Sequence, residues 1–116
     1  MIYTLTVARE FSASHELKGH KLCGRPHGHT FKVEVTVIGD PEPDTFNMVA
    51  NDMEVREDLD KVLYEINYRN LNDMLPAVIA SPQGVANWIW ERLALRYQLH
   101  EVSVWQDDLR ASLRRE

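Results

Sequence analysis

The sequence has very little cysteine: Cys23 is the only one among its 116 residues. A single thiol cannot form an intrachain disulfide, so the fold has to rest on a packed core, which a chain of this length can bury. One free thiol is typical of a reducing compartment, and the start of the chain lacks the basic and apolar pattern of a signal peptide. We therefore expect a cytoplasmic protein.

Long apolar runs and basic runs are also missing. A membrane-spanning helix needs roughly 20 apolar residues in a row, and no stretch of the sequence approaches that length, so no membrane partner is expected. The formal net charge is -5, and the arginines near the C-terminus form only a mild basic tail. This balance argues against nucleic acid as a partner. The length predicts one domain over residues 1–116.

Alternating apolar and polar residues predict the strands. From His29 to Ile38 the alternation has the period of a half-buried antiparallel strand. Residues 2–8 and Glu101–Trp105 show the same pattern over shorter lengths, and a last strand is expected near the C-terminus. A loop with two prolines follows the second strand.

Between the second strand and the last ones, the spacing of apolar residues changes to that of helices. Val55, Leu59 and Ile66 belong to the first helical repeat, for which Asp52 is the predicted N-cap. A second helix is predicted to begin at Ser81-Pro82, with a serine cap and a proline in the first turn. Strands grouped apart from helices predict an α+β fold, an antiparallel β-sheet with two helices packed on one face.

Three histidines are candidate metal ligands. His27 and His29 are two residues apart at the start of an extended segment, so their side chains point the same way. His15 comes near the end of the first strand and can join them if the two strands pair. Three histidines with an open fourth position are typical of catalytic zinc, although neutral imidazole also suits iron or copper. The sequence therefore predicts a metal site.

Cys23, four residues before His27, has three possible roles. It could be a fourth ligand that closes a structural metal site. It could be a nucleophile or base beside the metal, with its thiolate favoured by a nearby cation. It could also be an inert buried thiol. Spacing alone does not separate these roles.

Five segments resemble a known family. FSASHEL, HKLCGRPHGHTF, MVANDMEVREDLDKVL, YRNLND and WIWERL occur in the order found in the 6-pyruvoyltetrahydropterin synthase and 6-carboxytetrahydropterin synthase family. The resemblance implies the tunnelling fold (T-fold) of that family, with subunits assembled through their sheets into trimers and then dimers of trimers. It implies zinc held by His15, His27 and His29, and active sites at subunit interfaces. It also implies that Cys23 is the base or nucleophile rather than a ligand.

The usual substrate of the family is 7,8-dihydroneopterin triphosphate. Members eliminate triphosphate and rearrange the side chain, or convert the side chain to a carboxyl group with loss of acetaldehyde. In these reactions zinc can act as a Lewis acid toward the side-chain hydroxyls, while a thiolate takes an adjacent proton. The resemblance thus predicts a zinc-dependent lyase acting on this compound or a related pterin-like molecule.

The chain departs from the family pattern at four positions. An Asp-His pair that shuttles a proton is replaced by Asn67 and Tyr68, and a phenol is a weaker base than an imidazole at neutral pH. The glutamate that holds the pterin ring becomes Gln106, and another glutamate in the second helix becomes Gln83. We predict Cys23 and Tyr68 as catalytic, with Tyr68 as a replacement acid, and Gln106 and Gln83 as substrate-binding residues. These changes predict altered chemistry, or a ligand whose ring has a different arrangement of hydrogen-bond donors and acceptors along its edge.

Two other functions are compatible with the same residues. The protein could be a non-catalytic zinc-binding or pterin-binding paralogue, or a subunit of a hetero-assembly. Alternatively, Cys23 could close a structural site together with the three histidines.

Overall fold

The computed structural model describes residues 1–75 and 80–116, and its sheet is built around two long strands. Strands β1 (Tyr3–His15) and β2 (His27–Gly39) pair antiparallel along their whole length. The first strand is longer than the predicted segment 2–8. Phe11 and Ala13 continue its buried face, and their pairing with β2 extends the strand into a part of the sequence with weak apolar alternation.

Two further strands lie on the other side of β2. The predicted strand His29–Ile38 falls within β2, and β4 (Leu99–Gln106) pairs antiparallel with it. The predicted segment Glu101–Trp105 is the centre of β4, and the expected last strand is β5 (Leu109–Arg114), antiparallel to β4. Both predictions are confirmed, and a two-residue turn connects β4 to β5.

The sequence predicted a purely antiparallel sheet, whereas the observed sheet also contains one parallel pair. Its order is β3-β1-β2-β4-β5, and the two-residue strand β3 (Arg69–Asn70) pairs in parallel with Ala13 and Ser14 of β1. Such a short strand has no periodicity of its own. It exists because the chain after the first helix bonds to the outer edge of β1, a contact between segments that are distant in sequence.

A 3-10 turn (Pro43–Thr45) leads to the first helix, α1 (Asp52–Tyr64). The prediction that Asp52 caps this helix is wrong by one residue. Asn51 is the N-cap, because its backbone is extended and its side-chain oxygen accepts hydrogen bonds from two N–H groups of the first turn. Asparagine and aspartate are similarly favourable caps, so residue type alone did not separate them.

Helix α2 (Leu71–Met74) is a single turn, and α3 (Pro82–Leu93) is the second main helix. The predicted start of α3 is confirmed: the Ser81 hydroxyl accepts the backbone N–H of Gly84, and Pro82 occupies the first turn. Among the described residues, no helix is both long enough and apolar enough to cross a bilayer.

The core lies between one face of the sheet and the helices. Helix α1 contacts β1, while α3 contacts β4 and β5. Valines and aromatics on alternate positions of the central strands are fully buried against apolar residues of both main helices, which removes a continuous apolar surface from water. The buried face of β1 and β2 continues beyond this core to the three histidines: Phe11, Phe31, Val33 and Val35 give way to His15, His27 and His29.

Candidate metal centre

Strand pairing brings the three predicted histidines together. His15 is directly opposite His27 in the pairing of β1 with β2, and His29 is opposite Ala13. Because side chains on a strand alternate between faces, all three imidazoles lie on the face that carries the core. Phe31 lies next to them, with its ring centroid 5.5 Å from that of His15 and 5.6 Å from that of His29. The aromatic ring of Phe31 therefore packs against two of the three histidines.

The geometry of the cluster fits a bound metal ion. One ring nitrogen from each histidine lies within 4.8 Å of those from the other two. The Nε2 atoms of His15, His27 and His29 are buried, and within residues 1–75 and 80–116 none has a hydrogen-bond partner. Three buried and unpaired nitrogens are costly unless a ligand satisfies them. A metal ion in the space between them would do so.

Hydrogen bonds at the other ring nitrogen, Nδ1, fix the tautomer and the orientation of the imidazoles. Nδ1 of His15 lies 2.6 Å from the backbone oxygen of Ala80, and Nδ1 of His27 lies 2.6 Å from that of Arg25. A carbonyl oxygen only accepts, so each Nδ1 carries the proton and each Nε2 keeps a free lone pair. For His29, the Asp107 carboxylate lies 3.3 Å from Nδ1. Acceptors on the outer nitrogens orient metal-binding histidines in this way.

Burial also favours the neutral form of His15. Loss of solvent lowers the pKa of this imidazole, and the nearby His27 and His29 lower it further, while the hydrogen bond to Ala80 raises it. The net direction is downward. A neutral imidazole is the form that coordinates a metal, so the environment prepares His15 for that role.

A cleft of about 580 Å³ opens beside the cluster. His27 and His29 line it together with Cys23 and Gln106. The side-chain nitrogen of Gln106 lies 4.0 Å from Cys23 Sγ. Cys23 is half-buried and is absent from the group of mutually close ligand atoms found among the described residues. The structure therefore puts the thiol in the cleft next to the histidine cluster and not within it.

The loop that carries Cys23 is fixed by local hydrogen bonds. The ring of His20 accepts the backbone N–H groups of Leu22 and Cys23 at 3.1 and 3.0 Å, and the Cys23 carbonyl accepts the N–H of Leu17. Gly24 is required here, since a Cβ at that position would lie 2.6 Å from the backbone oxygen of His20. These contacts hold the thiol against the cleft.

Asn67 and Tyr68 are not in this cleft. The side-chain oxygen of Asn67 accepts the backbone N–H of Ser12 at 2.9 Å, so it ties the chain to β1. Tyr68 is 85% exposed, has a left-handed backbone with φ of 61°, and lines a second cleft of about 560 Å³. That cleft includes Ser12, Ser14 and Thr30, which alternate with the histidine-bearing face of β1 and β2. Within one chain, Tyr68 and Cys23 therefore line different clefts, which share Gly28 and His29.

The two glutamines have different environments. Gln106 ends β4, is 9% exposed and lines the Cys23 cleft. Gln83 lies exposed in the first turn of α3, and its neighbour Pro82 lines the cleft instead. Of the two predicted substrate-binding residues, only Gln106 lies in the cleft of this chain.

Sequence reasoning missed the contacts of Asp107 and the role of His20. Asp107 lies in the turn after β4 with φ of 53°, a left-handed conformation that aspartate adopts more readily than most residues. The sequence offered one signal, an Asp-Asp pair between two strands, which is typical of a tight turn. Nothing in the local pattern indicated that this turn meets the start of β2.

A family model described as 6-pyruvoyl tetrahydropterin synthase matches residues 4–115. The chain belongs to that family. A putative 6-carboxy-5,6,7,8-tetrahydropterin synthase of Archaeoglobus fulgidus is 31% identical over 88 residues, which cover 76% of this chain and 73% of the relative. The human 6-pyruvoyl tetrahydrobiopterin synthase is 30% identical over 118 residues, covering 84% and 81% of the two chains.

The structural likeness confirms the predicted α+β T-fold. The 6-pyruvoyl tetrahydropterin synthase of Caenorhabditis elegans superimposes with a TM-score of 0.88 at 20% identity, covering 100% of this chain and 97% of the other. Membership of the 6-pyruvoyl tetrahydropterin synthase family puts the chain among pterin synthases, which are enzymes of the lyase type. Its histidine cluster has the donor set for a metal ion.

Proposed function

We propose that this protein is a zinc-dependent lyase that acts on 7,8-dihydroneopterin triphosphate or a related pterin-like compound. The observation that carries the proposal is a cluster of three converging Nε2 atoms beside one cleft that a thiol and a buried amide also line. The histidines supply the metal ligands, the thiol supplies a base, and the amide supplies ring recognition. The family relationship supports the pterin as the substrate class.

His15, His27 and His29 would hold the metal through their Nε2 atoms. When bound, zinc would supply Lewis-acid chemistry toward a hydroxyl or carbonyl oxygen of the substrate. Three histidine ligands leave a fourth position open for such an oxygen. Asp107 and the backbone oxygens of Ala80 and Arg25 would keep the three rings oriented.

The proposed chemical role of Cys23 is proton removal. Its Sγ lies at the wall of the cleft, where it would take a proton from a substrate carbon that bears a hydroxyl. A thiol with this role has to remain reduced, which supports a cytoplasmic location. The Gln106 amide nitrogen lies 4.0 Å from the sulfur. Gln106 would hold the pterin ring so that the side chain of the substrate reaches Cys23.

We also propose that the protein is a homo-oligomer, a trimer or a dimer of trimers. Among the described residues, β3 pairs with only two residues of β1, which leaves most of the outer edge of β1 open, and β5 forms the opposite edge. Open strand edges readily pair with another chain. Tyr68 would then act as a replacement acid for a neighbouring subunit, because within its own chain it lines a different cleft from Cys23.

Restoring the family pair should increase activity. The double variant Asn67→Asp, Tyr68→His is expected to turn over 7,8-dihydroneopterin triphosphate at least about 10-fold faster than the native protein, because a positioned general acid–base group contributes about 10²–10⁴-fold and the pair should restore at least part of that contribution. The aspartate keeps the oxygen that accepts the Ser12 N–H, so the fold should tolerate the change. Steady-state kinetics measures the effect. A native protein that is already as fast as the double variant would show that these departures do not alter the chemistry.

The direct test of the proposed function is to incubate the zinc-loaded protein with 7,8-dihydroneopterin triphosphate and to identify the products by mass spectrometry. We expect either release of triphosphate or shortening of the side chain. Binding of zinc and pterin without any product would instead favour a non-catalytic paralogue or a subunit of a hetero-assembly. That alternative is supported by the hydrogen bond that the Asn67 side chain accepts from the Ser12 N–H of β1, since Asn67 cannot ionise.

A further inference from the structure

The second cleft, of about 560 Å³, brings hydroxyl groups together with an arginine. The polar side chains that line it include those of Ser12, Ser14, Thr30, Tyr68, Arg69 and Asn70. The serines and the threonine alternate with the histidine-bearing face of β1 and β2, while the pairing of β3 with β1 brings in Arg69. Hydrogen-bond donors from three strands therefore meet in this cleft, which we call the hydroxyl cleft.

Arg69 contributes a positive charge to the hydroxyl cleft. Its guanidinium forms no ion pair with any residue of segments 1–75 and 80–116. The described residues that line the hydroxyl cleft also include no aspartate or glutamate. A guanidinium presents several N–H groups in a planar fork that matches the oxygens of a phosphate group. An unpaired arginine beside hydroxyl donors is therefore suited to an anion with several oxygens.

The Cys23 cleft has the opposite charge. Asp107 and Asp108 line it, and the described residues around it include no lysine or arginine. The chain as a whole has a formal net charge of -5, so its overall field does not attract anions. A triphosphate group carries several negative charges and would be repelled by the two aspartates. Of the two clefts, the hydroxyl cleft is the favourable one for such a group.

We propose that the hydroxyl cleft binds a phosphate chain, chiefly through Arg69. The inference rests on the proposed function and deepens it: the chain would be the triphosphate of a substrate whose ring lies in the Cys23 cleft of a neighbouring subunit. In the proposed oligomer Tyr68 serves that neighbouring substrate, and Arg69 is the next residue and lines the same cleft. The thiol of one subunit and the guanidinium of another would then hold the two ends of the substrate.

The test uses neopterin, neopterin triphosphate and inorganic triphosphate as probes. The two pterins have the same ring and carbon side chain and differ only in the phosphates. Each pterin is titrated into the zinc-loaded protein near neutral pH, with binding followed by pteridine fluorescence, and inorganic triphosphate is titrated by calorimetry. We expect the native protein to bind neopterin triphosphate at least about 10-fold more tightly than neopterin, since a hydrogen bond to a charged group corresponds to a change of this order in Kd.

Two variants separate the local charge of the cleft from the net charge of the protein. Arg69→Gln should weaken binding of both phosphate probes by about 10-fold or more and leave neopterin binding unchanged. Lys61→Gln is the matched control, because it removes the same charge from an exposed position of α1, which packs on the other face of the sheet. It should bind all three probes as the native protein does. Circular dichroism should show that both variants fold, and zinc per subunit is measured after each titration because polyphosphates bind metals.

The outcomes distinguish this inference from the proposed function. Selective loss of the phosphate probes in Arg69→Gln supports the inference. Native binding of these probes by Arg69→Gln, an equal loss in Lys61→Gln, or equal weakening of neopterin overturns the inference and leaves the proposed function intact. Binding of inorganic triphosphate that depends on Arg69, without binding of either pterin, supports a site for a free phosphate chain and overturns the proposed function.

Discussion

Replacing His27 with alanine is expected to lower the affinity of the protein for Zn²⁺ by at least about 100-fold. Loss of a residue that only supports a metal ligand typically costs 10–100-fold in affinity, so loss of a ligand itself should cost at least the upper end of that range. His27 is the best of the three positions for this test. It is half-buried, whereas His15 is 1% exposed and its removal would also leave a cavity in the core.

The measurement is a competition between the protein and a chromogenic chelator of known affinity, after the metal has been removed by dialysis. His100→Ala provides the matched control. His100 lies in β4 near the end opposite Gln106 and is absent from the cluster of close ligand atoms found in the described part of the chain. Circular dichroism should show that both variants fold. A folded His27→Ala protein that retains native zinc affinity would contradict the assignment of the cluster as the metal site.

The histidine cluster could be predicted from sequence because its geometry is mostly local. His27 and His29 share a strand face by the two-residue period, and only the pairing of β1 with β2 was needed to bring in His15. The orienting groups were not predictable in this way. The Ala80 carbonyl reaches His15 from 65 positions away in the chain, and Asp107 meets His29 only because β4 pairs with β2 in one register.

The same distinction between local and distant information applies to the fold. Strand β2 has clear periodicity and was predicted close to its observed bounds, and the strong cap of helix α3 allowed its start to be predicted. The second half of β1 and the whole of β3 depend on bonds with distant segments, among them the hydrogen bond that the Ser12 N–H donates to the Asn67 side chain. Tyr68 shows the consequence for function: it was predicted to be catalytic together with Cys23, and within one chain the two residues line different clefts.

Replacing Cys23 with alanine is expected to lower kcat by about 10²–10⁴-fold, the usual contribution of a general base, while the zinc content stays unchanged. The physical reason is the position of the thiol. It lines the cleft near Gln106 and is not among the mutually close ligand atoms of the described residues. Turnover of the substrate found by the product assay and zinc per subunit by atomic emission spectroscopy should be measured on the same sample.

Cys23→Ser serves as the control for size, because a hydroxyl fills nearly the same space and is a far weaker base than a thiolate at neutral pH. Both variants should therefore lose turnover and keep zinc. Loss of zinc in both would show instead that the thiol closes a four-ligand structural site, in which case the open coordination position needed for catalysis does not exist. Native turnover in Cys23→Ala would assign the proton transfer to another group, and the thiol would then be a packing residue of the cleft wall. Because each of these three cases gives a different combination of zinc content and turnover, one pair of measurements on two variants decides what the single cysteine of this chain does.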